Sequence, residues 1–287
     1  MKNKYNIVDL IFEINTPFYY IESKNFKEFL DCNPDKNLKK IKINVTYIDK
    51  IKKTSLENIS NMPLINIYEN ESFFRYDFLK EPNGLPYAYS LFYKNQKNNI
   101  DVYIEKSCNY IKNTLDVFEI IMFEKILSLN DIIVLHASYI KYKDKAILFT
   151  APSGTGKSTQ ADLWEKYENA EIINGDKVAL KKDNGIWYAY GLPYAGSSNI
   201  FKNIKSDISS IVILRQGKEN KIEKISLREA FKKVYSEITI NTWDEDFVEK
   251  AVDLTLDLVN QVPIYLLTCL PNEDAVKLLK EKVEGNI

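Results

Sequence analysis

The feature that most constrains the fold is a glycine-rich loop between an apolar segment and a segment with helical character. The loop reads Ala-Pro-Ser-Gly-Thr-Gly-Lys-Ser-Thr over residues 151–159 and directly follows the apolar run Ala146–Thr150. It matches the P-loop pattern G-x-x-x-x-G-K-S/T except at Ala151, which stands where the pattern has its first glycine. Because a strand precedes the loop and a helix over Lys157–Tyr167 is expected to follow it, the sequence predicts an α/β domain.

The chemistry of such a loop follows from its backbone. Glycines allow successive N–H groups to point at phosphate oxygens, and the following helix adds the positive end of its dipole. In this interpretation Lys157 reaches the β- and γ-phosphates and acts in catalysis, and the hydroxyl of Ser158 binds Mg²⁺. The predicted nucleotide-binding residues are Ser153, Gly154, Thr155, Gly156, Lys157, Ser158 and Thr159. The alternative interpretation is an ordinary glycine-rich turn that caps a helix.

A second candidate is the carboxylate of Asp176, in the sequence Asn174-Gly175-Asp176. This tripeptide ends the short predicted strand Glu171–Asn174, and a carboxylate at the end of a neighbouring strand can meet the metal of a P-loop site. We therefore predict that Ser158 and Asp176 are the metal ligands. The alternative is that Asp176 is only a turn residue beside a glycine.

The third candidate is His136, the one histidine of the chain. It lies within the predicted strand Ile132–Ile140, one strand before the glycine-rich loop. If the two strands are neighbours, its imidazole can influence Asp176 or help to remove a proton from an attacking hydroxyl. A histidine within an apolar strand can equally be a hydrogen-bonded core residue.

These residues together resemble a known family. Leu135-His136-Ala137, the loop at 153–158 and Asn174-Gly175-Asp176 are similar to the catalytic domain of HPr kinase/phosphorylase, whose fold is shared with phosphoenolpyruvate carboxykinases. The resemblance is greatest to HPr-kinase-like proteins encoded beside peptide-maturation enzymes, through the segment Gly191–Gly196 and the strand Ile208–Leu214. It covers roughly residues 130–220.

The resemblance implies an ATP-dependent kinase that uses Mg²⁺ and transfers the γ-phosphoryl group to a hydroxyl, with a serine of a peptide or protein as the acceptor. It also implies that His136 and an aspartate handle the acceptor proton, while an aspartate and the P-loop serine hold the metal. HPr kinases are hexamers, so a homo-oligomer is implied as well. Tyr194 and residues 197–199 are candidates for the acceptor side.

Two departures from the family limit what is carried over. The family usually has Asp-Asp where this chain has Gly175-Asp176, so either Asp176 both holds the metal and takes the proton, or one of these two roles is weakened. No counterpart of the arginine-bearing segment near the C-terminus of HPr kinases is found, so neither HPr as substrate nor the reverse phosphorolysis is expected. The alternatives are a kinase of small-molecule hydroxyls and a nucleotide-binding regulatory partner without transfer activity.

The periodicity of the chain changes near residue 108. Before it, short alternating runs separated by turns predict a β-rich, α+β region over residues 1–108, a candidate for binding the acceptor or a peptide. After it, apolar residues at helical spacing over Tyr110–Leu129 predict one long helix. Residues 109–287 are then expected to form the HPr kinase-like catalytic domain, with a mixed sheet.

Composition excludes several other classes of function. With 39 basic and 40 acidic side chains the formal net charge is −1, which argues against a nucleic-acid partner. The longest apolar runs are far shorter than the ~20 residues of a membrane helix, and the first residues are not typical of a secretory signal. Three dispersed cysteines, Cys32, Cys108 and Cys269, indicate reduced thiols and a cytoplasmic location, and the presence of a single histidine argues against the usual zinc sites.

Overall fold

The computed structural model describes residues 2–31, 37–60, 62–194 and 196–286. The chain divides into two compact units, of which the first ends at Ile126 and the second begins at Leu127. Residues 109–126 thus belong with the first unit, whereas the sequence analysis assigned them to the second. Both units contain helices and a mixed β-sheet, so the class is α/β.

Within its described residues, the first unit is built on a seven-stranded sheet. Its strands are β1 (Lys2–Ile7), β2 (Leu10–Asn15), β3 (Lys39–Ile48), β4 (Ile65–Glu69), β5 (Phe73–Leu79), β6 (Pro86–Tyr93) and β7 (Asn99–Glu105), in the spatial order β1-β2-β3-β7-β6-β5-β4. Strand β3 is parallel to β2 and β7, and the other neighbours are antiparallel. The β-rich character predicted for this region is therefore present.

The prediction of one long helix over residues 110–129 is wrong. The segment instead forms two short helices, α1 (Thr114–Ile120) and α2 (Phe123–Ser128). The start is fixed by a capping box, in which the Asn113 side chain accepts from the N–H of Asp116 and the Asp116 carboxylate accepts from the N–H of Asn113. The break is at Met122, whose φ of 49° lies in the left-handed region. Helical spacing of apolar residues survives such a break, so the pattern alone could not show it.

The second unit, over residues 127–194 and 196–286, has an eight-stranded sheet flanked by helices. Its strands are β8 (Ile132–Tyr142), β9 (Lys145–Thr150), β10 (Glu171–Asn174), β11 (Lys177–Asp183), β12 (Ile186–Gly191), β13 (Lys205–Gln216), β14 (Lys221–Lys224) and β15 (Ile264–Cys269). Its helices are α3 (Lys157–Glu168), α4 (Leu227–Tyr235), α5 (Glu245–Gln261) and α6 (Glu273–Val283). Parallel pairs join β13 to β9 and to β15, and the other pairs are antiparallel, so the mixed sheet predicted here is present.

The helices of this unit cover both faces of the sheet. Trp164 of α3 and Leu279 of α6 belong to one cluster of buried side chains, which also contains Phe149 of β9. Val234 of α4 and Leu258 of α5 belong to a second cluster, together with much of β8. Burying both faces explains why β8 and β9 read as nearly continuous apolar runs.

Two further observations concern the composition-based expectations. Among the described helices, none is both long and apolar enough to cross a membrane. Cys108 and Cys269 are free thiols, and Cys32 lies outside the described residues.

Candidate active site

Strand β8 positions the candidate site, because the segments that pair with it change near its middle. Each edge of β8 has one partner before that point and another partner after it. On one edge it pairs with β11 as far as His136 and then with β10 from Tyr139. On the other edge it pairs with β9 from Ala137 onward, and an isolated bridge between Leu135 and Ile238 precedes that pairing. His136 therefore lies where β9 ends in the glycine-rich loop and where β10 turns into β11.

The glycine-rich loop leaves β9 at Thr150 and enters α3 at Lys157. Gly154 and Gly156 have φ values of 78° and 117°, which favour glycine because other residues rarely adopt them. Gly156 is the N-cap of α3, so the first N–H groups of that helix face the loop. The strand, loop and helix predicted from the motif are thus present with nearly the predicted bounds.

Lys157 is buried at the start of α3, with only 7% of its surface exposed. Its ammonium donates to the carbonyl oxygens of Ala151 at 2.8 Å and Pro152 at 3.4 Å. Burial lowers the pKa of Lys157, while the negative charges of Glu237 and Asp176 oppose that shift. A buried ammonium bonded to neutral carbonyls retains the capacity to bind an anion.

The imidazole of His136 lies between two carboxylates. Its Nδ1 is 3.1 Å from Oε2 of Glu237, and its Nε2 is 3.6 Å from Oδ1 of Asp176. The first distance is that of a hydrogen bond, and the second exceeds hydrogen-bond length. The His136 side chain is 31% exposed, so part of its ring is accessible to an incoming group.

Asp176 is held by the fully buried side chain of Asn174. The Asn174 Oδ1 accepts from the backbone N–H groups of Asp176 at 2.9 Å and Lys177 at 3.1 Å. Its Nδ2 donates to the carbonyl oxygens of Leu192 and Tyr194, at 2.8 and 2.9 Å. One side chain therefore fixes both the turn that carries Asp176 and the segment that follows β12.

Gly175 and Gly196 allow that following segment to approach the turn closely. A Cβ at Gly175 would lie only 2.6 Å from the Cβ of Ser198, and a Cβ at Gly196 would lie 2.8 Å from the Cγ of Asp176. Gly196 also has a φ of 52°. The space in which a side chain at position 175 would begin is filled by Ser198, so any residue other than glycine there would require Ser198 to move.

Nearly all predicted site residues line one polar depression of about 300 Å³. The lining residues are His136, Ser153, Gly154, Gly156, Lys157, Ser158, Thr159, Gly175 and Asp176. The remaining predicted residue, Thr155, lines an adjoining depression of about 350 Å³ that also includes Gly154, Gln216 and Cys269. Residues separated by up to 40 positions in sequence thus meet at one end of the sheet.

The predicted metal ligands, Ser158 and Asp176, share this depression. Over the part of the chain that the structure describes, no cluster of three or more His, Cys, Asp or Glu side chains has the geometry to hold a metal. One hydroxyl and one carboxylate instead fit Mg²⁺, which keeps several waters and takes its other ligands from phosphates. The two side chains would therefore hold the ion together with a bound nucleotide.

Sequence reasoning missed Glu237, although it contacts His136 directly. The residue lies two positions after the end of α4, where in sequence it resembles any other glutamate near the end of a helix. Its position depends on the bridge between Leu135 and Ile238, and nothing in the local sequence indicates that pairing. Of the acceptor-side candidates, Tyr194 contributes its carbonyl to Asn174, and the side chain of Ser197 lies outside the described residues.

Comparisons with known proteins add little to this geometry. No family model matches the chain, and no curated protein sequence matches it. Among solved structures, the chain is similar to the HPr(Ser) kinase/phosphatase of Coxiella burnetii, with 14% sequence identity and a TM-score of 0.29 over 53% of this chain and 93% of the other. A TM-score this low does not support an argument about function, which must rest on the site itself.

Proposed function

We propose that this chain is an ATP-dependent kinase that transfers the γ-phosphoryl group to a hydroxyl, with a serine of a peptide or protein as the acceptor. One observation carries the proposal: the buried ammonium of Lys157 and the pair His136–Asp176 line the same depression. A loop that only capped a helix would not need an imidazole and a carboxylate beside its lysine. The serine acceptor is supported by the resemblance of the sequence motifs.

Phosphoryl transfer needs positive charge around the γ-phosphoryl oxygens, because the transition state spreads negative charge over them. The N–H groups of the loop and of the first turn of α3 supply part of it. Lys157 supplies a full charge, and phosphate oxygens would replace the carbonyls of Ala151 and Pro152 as its partners. Mg²⁺, when held by Ser158 and Asp176, would neutralise phosphate charge and orient the leaving group.

The acceptor hydroxyl must lose a proton as its oxygen bonds to the γ-phosphorus. Two atoms of residues that line the depression, Nε2 of His136 and Oδ1 of Asp176, lie 3.6 Å apart. A hydroxyl between them would give its proton to this pair while the bond between the γ-phosphorus and the bridging oxygen breaks, and ADP leaves with the electrons of that bond. The products are ADP, the phosphorylated acceptor and the transferred proton.

The test is transfer from γ-labelled ATP with Mg²⁺ to the host's soluble extract and to serine-containing peptides encoded nearby. Wild type would be compared with Lys157→Ala and with Lys166→Ala, which removes an exposed lysine from the same helix. We expect label on a peptide or protein with wild type and Lys166→Ala, and none with Lys157→Ala.

Each other outcome changes the proposal in a defined way. Label on a small molecule would favour a small-molecule kinase. Nucleotide binding that Lys157→Ala abolishes, without transfer to any acceptor, would favour a regulatory partner. Equal transfer by wild type and Lys157→Ala would overturn the assignment of the site.

A further inference from the structure

Glu237 is fixed to the centre of β8 by both its backbone and its side chain. It follows α4, and its carbonyl accepts from the N–H of His136 at 2.9 Å. The neighbouring N–H of Thr239 donates to the carbonyl of Val134 at 2.8 Å, so residues 237–239 extend along the edge of β8. Only 11% of the Glu237 side chain is exposed, and its carboxylate reaches the ring of the residue that its backbone already holds.

The hydrogen bond from His136 to Glu237 decides where the ring carries its proton. An ionised carboxylate only accepts hydrogen bonds, so Nδ1 must be the donor. In a neutral imidazole, the other nitrogen then has a lone pair and no hydrogen. The separation of 3.6 Å between Nε2 and Oδ1 of Asp176 agrees with this assignment, because two acceptors do not form a hydrogen bond with each other.

We propose that Glu237 is a positioning residue that holds His136 in the Nδ1–H tautomer, so that Nε2 receives the acceptor proton and Asp176 remains available to the metal. This inference rests on the proposed function. Glu237 then supplies a second carboxylate to the site, where position 175 has only a glycine. That carboxylate comes from the residues after α4 and acts through the imidazole, so metal binding and proton removal are divided between two acidic residues.

Glu237 also acts on Lys157 at a distance. Its negative charge raises the pKa of that buried ammonium against the effect of burial. Losing Glu237 lowers the pKa of Lys157, but it also removes a negative charge that repels a bound nucleotide, so the two effects on nucleotide binding oppose each other. Nucleotide binding should consequently survive the substitution, and the transfer step should not.

The single histidine makes the proposal directly measurable, since ¹⁵N-histidine labelling of the full chain reports on His136 alone. At a pH high enough for a neutral ring, we expect the wild-type spectrum to show the Nδ1–H tautomer. Glu237→Leu removes the acceptor, so the proton should move to Nε2, where Asp176 can accept it. Glu237→Gln keeps an uncharged acceptor of the same shape and should retain more of the original tautomer. Glu229→Gln, on the exposed surface of α4, is the matched control.

We expect the loss of Glu237 to affect kcat and the Kd for ATP differently. Glu237→Leu should lower kcat by about 10²–10⁴-fold, while the Kd for ATP changes by less than about threefold. Glu237→Gln should fall between Glu237→Leu and wild type, and Glu229→Gln should match wild type in both constants.

An Nε2–H tautomer in wild type would overturn the inference, and this result does not depend on whether any variant folds. An unchanged tautomer in folded Glu237→Leu would overturn it too. If no acceptor is ever phosphorylated but the tautomer changes as expected, the proposed function fails and the positioning role of Glu237 stands.

Discussion

The buried carboxylates of Glu13 and Asp77 in the first unit and the buried ammonium of Lys157 in the second are compensated in opposite ways. In the first, Glu13 is 6% exposed and meets Lys4 at 3.1 Å, and Asp77 is 3% exposed and meets Arg75 at 2.6 Å. In the second, Lys157 is nearly as buried but is bonded only to carbonyl groups. A charge that is neutralised where it lies contributes to folding, whereas a buried charge without a counter-ion is costly until a ligand supplies one.

The largest effect should come from Lys157→Met, which removes that ammonium but keeps a side chain of similar length. Transfer should fall by about 10³-fold, because a fixed positive charge at the phosphates is lost. The free energy of unfolding without nucleotide should rise by about 1 kcal/mol, because an uncompensated buried charge is replaced by an apolar chain. Activity assays and urea unfolding of the same preparations measure both quantities.

The pH dependence of that gain has a definite sign. Because burial lowers the pKa of folded Lys157, its charge disfavours folding at neutral pH, and this cost is relieved as pH rises through the folded pKa. The gain in stability from Lys157→Met should therefore shrink at alkaline pH. A gain that is the same at all pH values would mean that charge is not its cause.

Arg75→Met tests the opposite case in the first unit. It leaves Asp77 buried without its ion pair, so the free energy of unfolding at neutral pH should fall by about 3 kcal/mol. Burial already raises the pKa of Asp77 against the effect of Arg75, so the loss should diminish as pH falls and Asp77 is protonated. The control is Lys94→Met, which breaks the half-exposed ion pair with Glu69 and should cost about 0.5 kcal/mol or less. Equal losses for the two variants would mean that burial does not set how much an ion pair of this unit contributes to stability.

A smaller loss than that of Arg75→Met is expected for Gly175→Ala, which tests packing in place of charge. The new Cβ would collide with Ser198, so the free energy of unfolding should fall by about 1–3 kcal/mol. Adding Ser198→Gly removes the obstructing side chain and should recover most of the loss. If Gly175→Ala costs nothing, the close approach of Ser198 does not restrict the residue at position 175.

The parts of the site that could be predicted are those set by local sequence. The glycine-rich loop, its flanking strand and helix, and the turn at Asp176 each follow from a few consecutive residues. The proximity of His136 needed only the simple assumption that consecutive strands pair, which β8 and β9 do.

The features that could not be predicted depend on pairing between distant segments or on single backbone angles. Glu237 reaches His136 because Ile238 bridges to Leu135, and no sequence pattern indicates that these two segments pair. The break at Met122 is one left-handed residue within a regular apolar pattern. The fourfold bonding of Asn174 could be suspected from a polar residue at the end of an apolar strand, but its partners beyond β12 could not.

The pairing of β8 also sets how the site opens. The amide of His136 is bonded to the carbonyl of Glu237, and the next amide, that of Ala137, is bonded to the carbonyl of Asp176 at 3.0 Å. Two adjacent amide protons of one central strand thus lock the main chains of both acidic residues, one on each side. Exchange of these protons with solvent requires at least one carboxylate-bearing segment to detach from the strand. The exchange rates of these two amide protons therefore measure how often the assembled site opens.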